Sequence, residues 1–437
     1  MQNKLIAISF ILIFPICFTA KGQKLINSPY SRFNIGTLDP SGSVRSLSMG
    51  GTGVAMRDNS AIYFVNPASY SSIDTTSFLF DFGMDYSIID LSNGTSKYRS
   101  DDMNFDHLMI GFPLAKGWGV AAGLVPVSNG YYSLSESIKN GDPGYDPITG
   151  EMISVHKGNG GLSNFFLGTG INVTKSFSFG VNLNVLFGQL DRVNQFDFAD
   201  FANSFGQYNS EKLKINGVNF DYGGQYRAAF KKDYFFTAGF SVTPAKKYWS
   251  DLEKISVRYS SYATSAYSPD TLNYSNTSSK DSTKLPSTIR FGVAFGKKDK
   301  FVASIDYVAS NWTDAIIHGS TGYLANSKSW LFGAEYIPDK YSNTSYLSRI
   351  EYRLGGHISD NYLLLKGVQI KEYGASCGLG LRMRGSLPAS FLSKTNIYFD
   401  FTRKNGDIAK GLHNENYYTV GISLNLYDSW FIKRRYD

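Results

Sequence analysis

The sequence predicts an all-β fold, a transmembrane antiparallel β-barrel of about 14 strands. Three observations carry this: a period-two alternation of apolar and polar side chains, a composition rich in aromatics and glycine, and an apolar leader ahead of everything else. From Phe177 to Phe187 large apolar side chains stand at Phe177, Phe179, Val181, Leu183, Val185 and Phe187, with small or polar ones almost everywhere between. Successive side chains of a pleated strand project to opposite sides, so this spacing makes one apolar and one polar face. The pattern recurs at Phe301, Ala303, Ile305 and Tyr307 against Ser304 and Asp306, and at Val420, Ile422, Leu424 and Leu426 against Thr419, Gly421, Ser423 and Asn425. In a soluble sandwich the apolar face would line a core; in a membrane barrel it meets lipid and the polar face looks into the lumen.

The leader runs uncharged and apolar from Leu5 to Phe18 behind Lys4, and Ala20-Lys21-Gly22 follows with small residues where a signal peptidase reads. Residues 1–22 are therefore expected to be a cleaved export signal, since a run of this length is short of the about 20 residues a spanning helix needs. Phe14-Pro15-Ile16 lacks the small residue expected before a lipidated Cys17, and cleavage leaves Cys377 as the only cysteine, which excludes an intramolecular disulfide or a cysteine metal cluster. Every later apolar run is broken within a few positions, so the chain can span a membrane only as a closed barrel that pairs every backbone group.

Composition agrees with such a barrel. The chain of 437 residues holds 30 Tyr, 32 Phe and 43 Gly but only 13 Pro, at a mean hydropathy of -0.20. The formal charge of +7 is spread along the chain with no basic stripe, which argues against nucleic acid.

Strands are expected roughly at 76–91, 103–113, 118–134, 161–174, 176–196, 212–230, 234–248, 253–262, 286–297, 300–312, 329–337, 346–358, 366–384, 395–403 and 417–431. That naive set numbers fifteen, whereas a bacterial single-chain barrel has an even number. The segment 253–262, without clean alternation, reads as part of a long hairpin beyond the membrane, which leaves fourteen. Gly296 to Lys300, Lys175-Ser176 and Lys231 to Asp233 read as tight periplasmic turns. Longer polar stretches run over 136–160, 198–210, 260–284 and 404–416; the segment 260–284, dominated by Ser, Thr, Asn and Tyr, reads as an exposed extracellular loop.

About fifty residues precede the first strand. They contain Met49-Gly50-Gly51-Thr52-Gly53-Val54-Ala55, then Asp58-Asn59, then Asn66-Pro67-Ala68. The glycines permit tight approach and positive φ, as a simple turn also would, and Asn66-Pro67 matches a helix start with Asn as cap. This run resembles the N-terminal hatch of FadL-like (OMPP1-type) outer-membrane proteins, and Asn27-Ser-Pro-Tyr-Ser-Arg-Phe33 resembles a Bacteroidota branch of that family. The resemblance is close over 45–75 and extends elsewhere only by barrel pattern and length. It implies a fourteen-stranded barrel plugged by a hatch, and so a division into residues 1–22 as signal, 23–74 as hatch, 75–432 as barrel and 433–437 as tail.

The resemblance further implies capture of hydrophobic molecules and their release by hatch movement or through a lateral gap at a kinked third strand. Pro126, between Val125 and Val127, stands where such a kink would fall, because proline donates no ladder hydrogen bond; a place near the rim is the alternative. Pro113 and Pro244 read as rim features. FadL-like barrels of Bacteroidota also serve as integral subunits of outer-membrane machines for barrel assembly or protein secretion. The expected partners are thus outer-membrane lipid with either a hydrophobic ligand or outer-membrane protein and lipoprotein partners.

No catalytic pattern is present: the five histidines, at 107, 156, 318, 357 and 413, form no His-x-x-x-His or Glu-x-x-His pair, and no Gly-x-Ser-x-Gly elbow occurs. His107 is the one candidate for hydrolysis on the wall, and it reads better as a lumen or rim residue. No cofactor is expected. Asp142, Asp146 and Glu151 lie in a Gly/Pro loop and are weak oxygen ligands for Ca²⁺, without the spacing of an EF-hand.

Overall fold

The computed structural model describes residues 28–142, 145–148, 150–198, 205–260, 270–320, 322–383 and 393–429. The expected signal at 1–22 and the tail at 433–437 lie outside them.

A two-residue strand β1 (Thr37–Leu38) sits within the N-terminal segment, and β2 (Ser77–Ser92) opens the wall. There follow β3 (Lys97–Ala115), β4 (Trp118–Asn129), β5 (Tyr132–Ile138), β6 (Met152–Asn172), β7 (Phe177–Phe198) and β8 (Phe205–Ala229). Next come β9 (Tyr234–Thr243), β10 (Lys246–Ser260), β11 (Asp270–Leu285), β12 (Thr288–Lys297), β13 (Phe301–Ser310) and β14 (Ser327–Tyr336). The wall ends with β15 (Glu351–Leu365), β16 (Val368–Arg382), β17 (Lys394–Asn405) and β18 (Asn414–Ser429). All pairings are antiparallel, and β18 closes on β2 from Asn414↔Ser92 to Ser429↔Ser77.

Fourteen staves result, because three pairs of strands share a stave. β4 and β5 both pair with β6, β9 and β10 both pair with β8, and β11 and β12 continue one another opposite them. The interruptions fall at Gly130-Tyr131, Pro244-Ala245 and Pro286-Ser287. Pro244 is thus a break inside a stave, not a rim feature: it lacks the N–H that would carry the ladder from Thr243 to Lys246. The segment expected at 253–262 belongs to β10 as far as Ser260, and 261–262 lie outside the described residues.

Exposure decides between sandwich and barrel. Phe291 is 53% exposed and Val293 44%, while Ser304 and Asp306 on the adjacent strand are 2% and 1% exposed. On β18 Val420 and Ile422 are exposed and Ser423 and Asn425 buried. The apolar faces point outward and the polar faces inward, the inverse of a sandwich core and the surface a bilayer requires.

Short connections at 116–117, 173–176, 230–233 and 298–300 share one end, along with the start of β2 and the end of β18; longer ones gather at the other. Two connections at the short-turn end, 337–350 and 383–393, are longer than the pattern suggests, and 366–367 at the other end is shorter. The reading of 260–284 as loop needs correction, since 270–285 is strand β11, paired with β10 from Arg258↔Asp270 to Lys246↔Leu285. Sequence alternation misses it because, above the bilayer, both faces of a strand meet water and either can be polar; its cross-strand hydrogen bonds need no apolar face. The 25-residue β8 with β5, β6, β7, β10 and β11 likewise rises beyond the height about 9–11 residues would span.

Candidate functional site: the plugged lumen and the interrupted wall

Residues 28–76 run through the lumen from the long-loop end to the short-turn end. At the long-loop end, Ser28 donates to Glu415 at 2.8 Å, the Tyr30 hydroxyl donates to the His413 carbonyl at 2.5 Å, and the same oxygen accepts from the His413 N–H. Tyr30 and Ile35 pack with Leu162, Leu190, Leu213 and Tyr362 of the wall. Trp312, Ala315 and Ile317, from the connection between β13 and β14, complete this apolar cluster by folding into the barrel. That inward loop was not legible beforehand, because a short apolar stretch between polar residues has no period to read.

Below lies the hatch motif. Gly50 has φ +68°, and a Cβ there would stand 2.5 Å from the Gly356 and Phe332 carbonyl oxygens, so glycine answers both a backbone and a space requirement. Its N–H donates to Ser376, while the N–H groups of Gly53 and Val54 both donate to Asp306 Oδ2, at 2.7 and 2.9 Å. Met49 is buried beside them, against Ala55 and Tyr63. Gly51, with φ +89°, faces Leu331.

Asn66 caps the 3-10 helix Pro67–Ser72: its Oδ1 accepts from the Ala68 N–H, and its Nδ2 donates to Val54 and Gly224 carbonyls. The backbone of Pro67 lies directly over Gly180 of β7, where a Cβ would be 2.3 Å from the Pro67 carbonyl carbon. Tyr70 then donates to Asn182 at 3.0 Å. The hatch is therefore fastened to β7, β8, β13 and β16, on opposite sides of the lumen.

An ion network fastens it further. Arg45 donates to Asp58 at 2.6 Å and to both oxygens of Glu335 on β14. Glu335 accepts from Arg353 Nε at 2.7 Å; Arg353 also pairs with Glu351, which accepts from Arg382 at 2.5 Å and from Lys394. Burial opposes the Arg45 charge, but Asp58 and Glu335 outweigh it and hold the guanidinium well above its ordinary pKa. Burial likewise opposes ionisation of Asp58, and Arg45 overcomes it to hold the carboxyl well below the usual range. Only Asp58 of these groups belonged to a motif visible in the sequence; the rest come from strands that folding brings together.

Pro126 lies where β4 leaves the wall. β4 pairs with β3 only between Leu108↔Leu124 and Ala115↔Trp118. Beyond that level its end turns to β1, with Leu38↔Ser128, Thr37↔Asn129 and the Asp39 N–H donating to the Val127 carbonyl at 3.0 Å. Opposite β6 the register slips between Pro126 and Ser128. On β3, residues 97–107 pair with β2, with a slip at Gly83/Met84, and have no ladder with β4 or β5 among the described residues. The wall is interrupted there.

His107 stands at the same level, fully buried: its Nδ1 is 2.6 Å from Asp106 and its Nε2 3.1 Å from Asp81. Both ring nitrogens thus stand beside carboxylates, with a hydrogen bond only at Nδ1. Asp142 accepts from the Lys139 N–H and Asp146 from the Ile148 N–H within their own loop. Among the described residues no group of three or more His, Cys, Asp or Glu side chains, Glu151 included, is placed to hold a metal.

The BamG family model matches residues 1–437. The chain belongs to the BamG family. Solved structures similar to this BamG-family barrel include a Pseudomonas aeruginosa FadL homologue, 12% identical with a TM-score of 0.58 over 90% of this chain and 100% of that one. The Pseudomonas putida toluene transporter TodX is 14% identical with a TM-score of 0.58, over 90% and 99%. The CymD monoaromatic hydrocarbon channel is 13% identical with a TM-score of 0.57, over 90% and 98%. At such identities the likeness is one of fold: a FadL-like outer-membrane barrel. No curated protein matches the BamG-family chain.

Proposed function

We propose that this barrel acts without catalysis as an integral subunit of a multiprotein outer-membrane machine, offering a docking scaffold. Membership of the BamG family supports β-barrel assembly as the task, ahead of protein secretion. The observation that carries the reading is the filled lumen. An apolar cluster of wall, N-terminal segment and inward loop occupies the long-loop end, and the hatch below it is bound by the buried Arg45–Glu335 ion pair and by hydrogen bonds to several strands. Opening such a plug would strand buried charges, which costs several kcal/mol each; a scaffold has no need to open it. The expected partners are outer-membrane proteins or lipoproteins. Purification from membranes in mild detergent, followed by mass spectrometry, should recover them in stoichiometric amounts; a solitary monomer overturns the reading.

One observation favours a second reading, the passage of hydrophobic molecules through the wall. The interruption between β3 and β4 beside Pro126 gives an apolar molecule a sideways route to the bilayer that leaves the hatch shut. If so, liposomes carrying the barrel should take up toluene faster than empty ones, and a disulfide placed across the gap should abolish the difference. Equal rates would remove this reading.

A further inference from the structure

At the short-turn end, beneath the hatch, lies a cavity of about 820 Å³. The four acids among its described lining residues are all spoken for: Asp58 and Glu335 by Arg45, Asp299 by Lys340, and Glu351 by Arg382. The cations outnumber them. Arg57, Arg227, Lys297, Lys298, Lys300 and Arg349 line the same cavity, and none has a carboxylate partner among the described residues.

Arg57, on the hatch, donates to Ser178 at 2.7 Å and Asn172 at 2.6 Å, both neutral. Arg227, on β8, lies over the Phe235 ring at 4.1 Å. Burial first, and the neighbouring Arg227 second, pull the Arg57 guanidinium down to about 10, the mark of a cation without its counterion. Independently, the buried Nε–H groups of Arg45 and Arg382, 4% and 8% exposed residues that line the cavity, have no acceptor among the described residues. Donors of this kind at such depth are rarely left unmet.

We propose that this basin binds an acidic polypeptide segment of a partner protein at the inner face of the barrel. The inference rests on the subunit reading above and names the kind of partner contact it would use. The cations are spread over the hatch, β8, the end of β12 with the turn after it, and the connection after β14, so they suit several carboxylates in a row better than a single compact anion. Phe235, Phe301, Met56 and Ile337 between them offer apolar contact to the intervening side chains. The lining is drawn from the hatch, which fills the lumen, and from strand ends and connections at the short-turn end, so a chain approaching that end along the barrel axis would meet it.

The test uses the full-length barrel purified in detergent and a fluorescein-labelled decapeptide alternating Asp or Glu with Leu or Phe, followed by fluorescence anisotropy. The acidic peptide should bind, weaken as salt is raised, and outbind its Asn/Gln counterpart by at least about tenfold, the equivalent of one interaction of ~1.4 kcal/mol. Arg57→Glu with Arg227→Glu should lose at least that factor. Lys298→Glu with Lys300→Glu, in the exposed turn, gives the same readout should the first pair fail to fold, and Lys231→Glu with Lys232→Glu, outside the basin, should change nothing.

Equal binding of acidic and neutral peptides, no loss in either basin variant, or displacement of the peptide by equimolar pyrophosphate overturns the proposal. The two readings fail separately. Partners that co-purify undiminished with the basin variants sink the basin alone, whereas peptide binding by a barrel that purifies without partners sinks the subunit role alone.

Discussion

Glu335 ties the hatch to the wall at one residue: it accepts from Arg45 of the hatch and from Arg353 of β15. Its neutral isostere leaves the shape and removes the charge both guanidiniums share. Glu335→Gln is expected to destabilise the folded barrel by about 3–5 kcal/mol, the usual result of orphaning a buried charge, and to raise hydrogen exchange over 43–60 ahead of the strands. Exchange unchanged in that segment would show that the network does not hold the hatch.

Asp39 sets a pH dependence. Burial first, then the Asp106 carboxylate, raise its carboxyl to about 7, against the pull of Lys404. For an acid whose folded pKa is raised, the cost of ionising it in the folded state is absent below the unfolded value of about 4, grows between there and about 7, and is full above. The native barrel should therefore resist urea better at pH about 5.5 than at pH about 8, and Asp39→Asn should shrink that difference. A variant with the wild-type difference would assign the effect elsewhere.

Among the elements, β1 is the smallest and decides the most about the wall. Two residues draw the end of β4 inward, and Pro126 forgoes a ladder bond at the bend. Replacing Thr37 and Leu38 by proline removes both N–H donors of β1. The expected outcome is loss of exchange protection at 127–129 with the β9–β12 ladder untouched; protection retained at 127–129 would mean that the bend in β4 is held by its own sequence and β6. The hairpin of β10 and β11 makes the opposite point. Its polar faces look like loop in the sequence, yet it pairs from Arg258↔Asp270 to Lys246↔Leu285 with two slips in register, because outside the bilayer pairing alone defines the strand.

For the whole molecule, the inverted arrangement of faces is the controlling fact. Val293→Arg puts a charge on the apolar exterior of β12 and is expected to cost about 2–4 kcal/mol if the site lies at mid-bilayer. Ser304→Val on the lumen side should lower stability by a smaller amount, measured as the shift in urea midpoint in lipid vesicles. Equal tolerance of both would contradict a lipid-facing belt.

What the sequence determined by itself was the local and periodic part: alternation at Phe177–Phe187 and near the C-terminus, tight turns such as Lys231 to Asp233, and a glycine run before the first strand. Those are properties of a few consecutive residues, so a pleat or a turn expresses them directly. Only the tertiary structure decided that Arg45 meets Glu335 across 290 positions, that Trp312 folds inward, that β4 leaves its neighbour for β1, and that unpaired cations collect beneath the hatch. These depend on barrel closure and stagger, which set side chains from distant strands at one level and carry no signature in any stretch of chain short enough to be read alone.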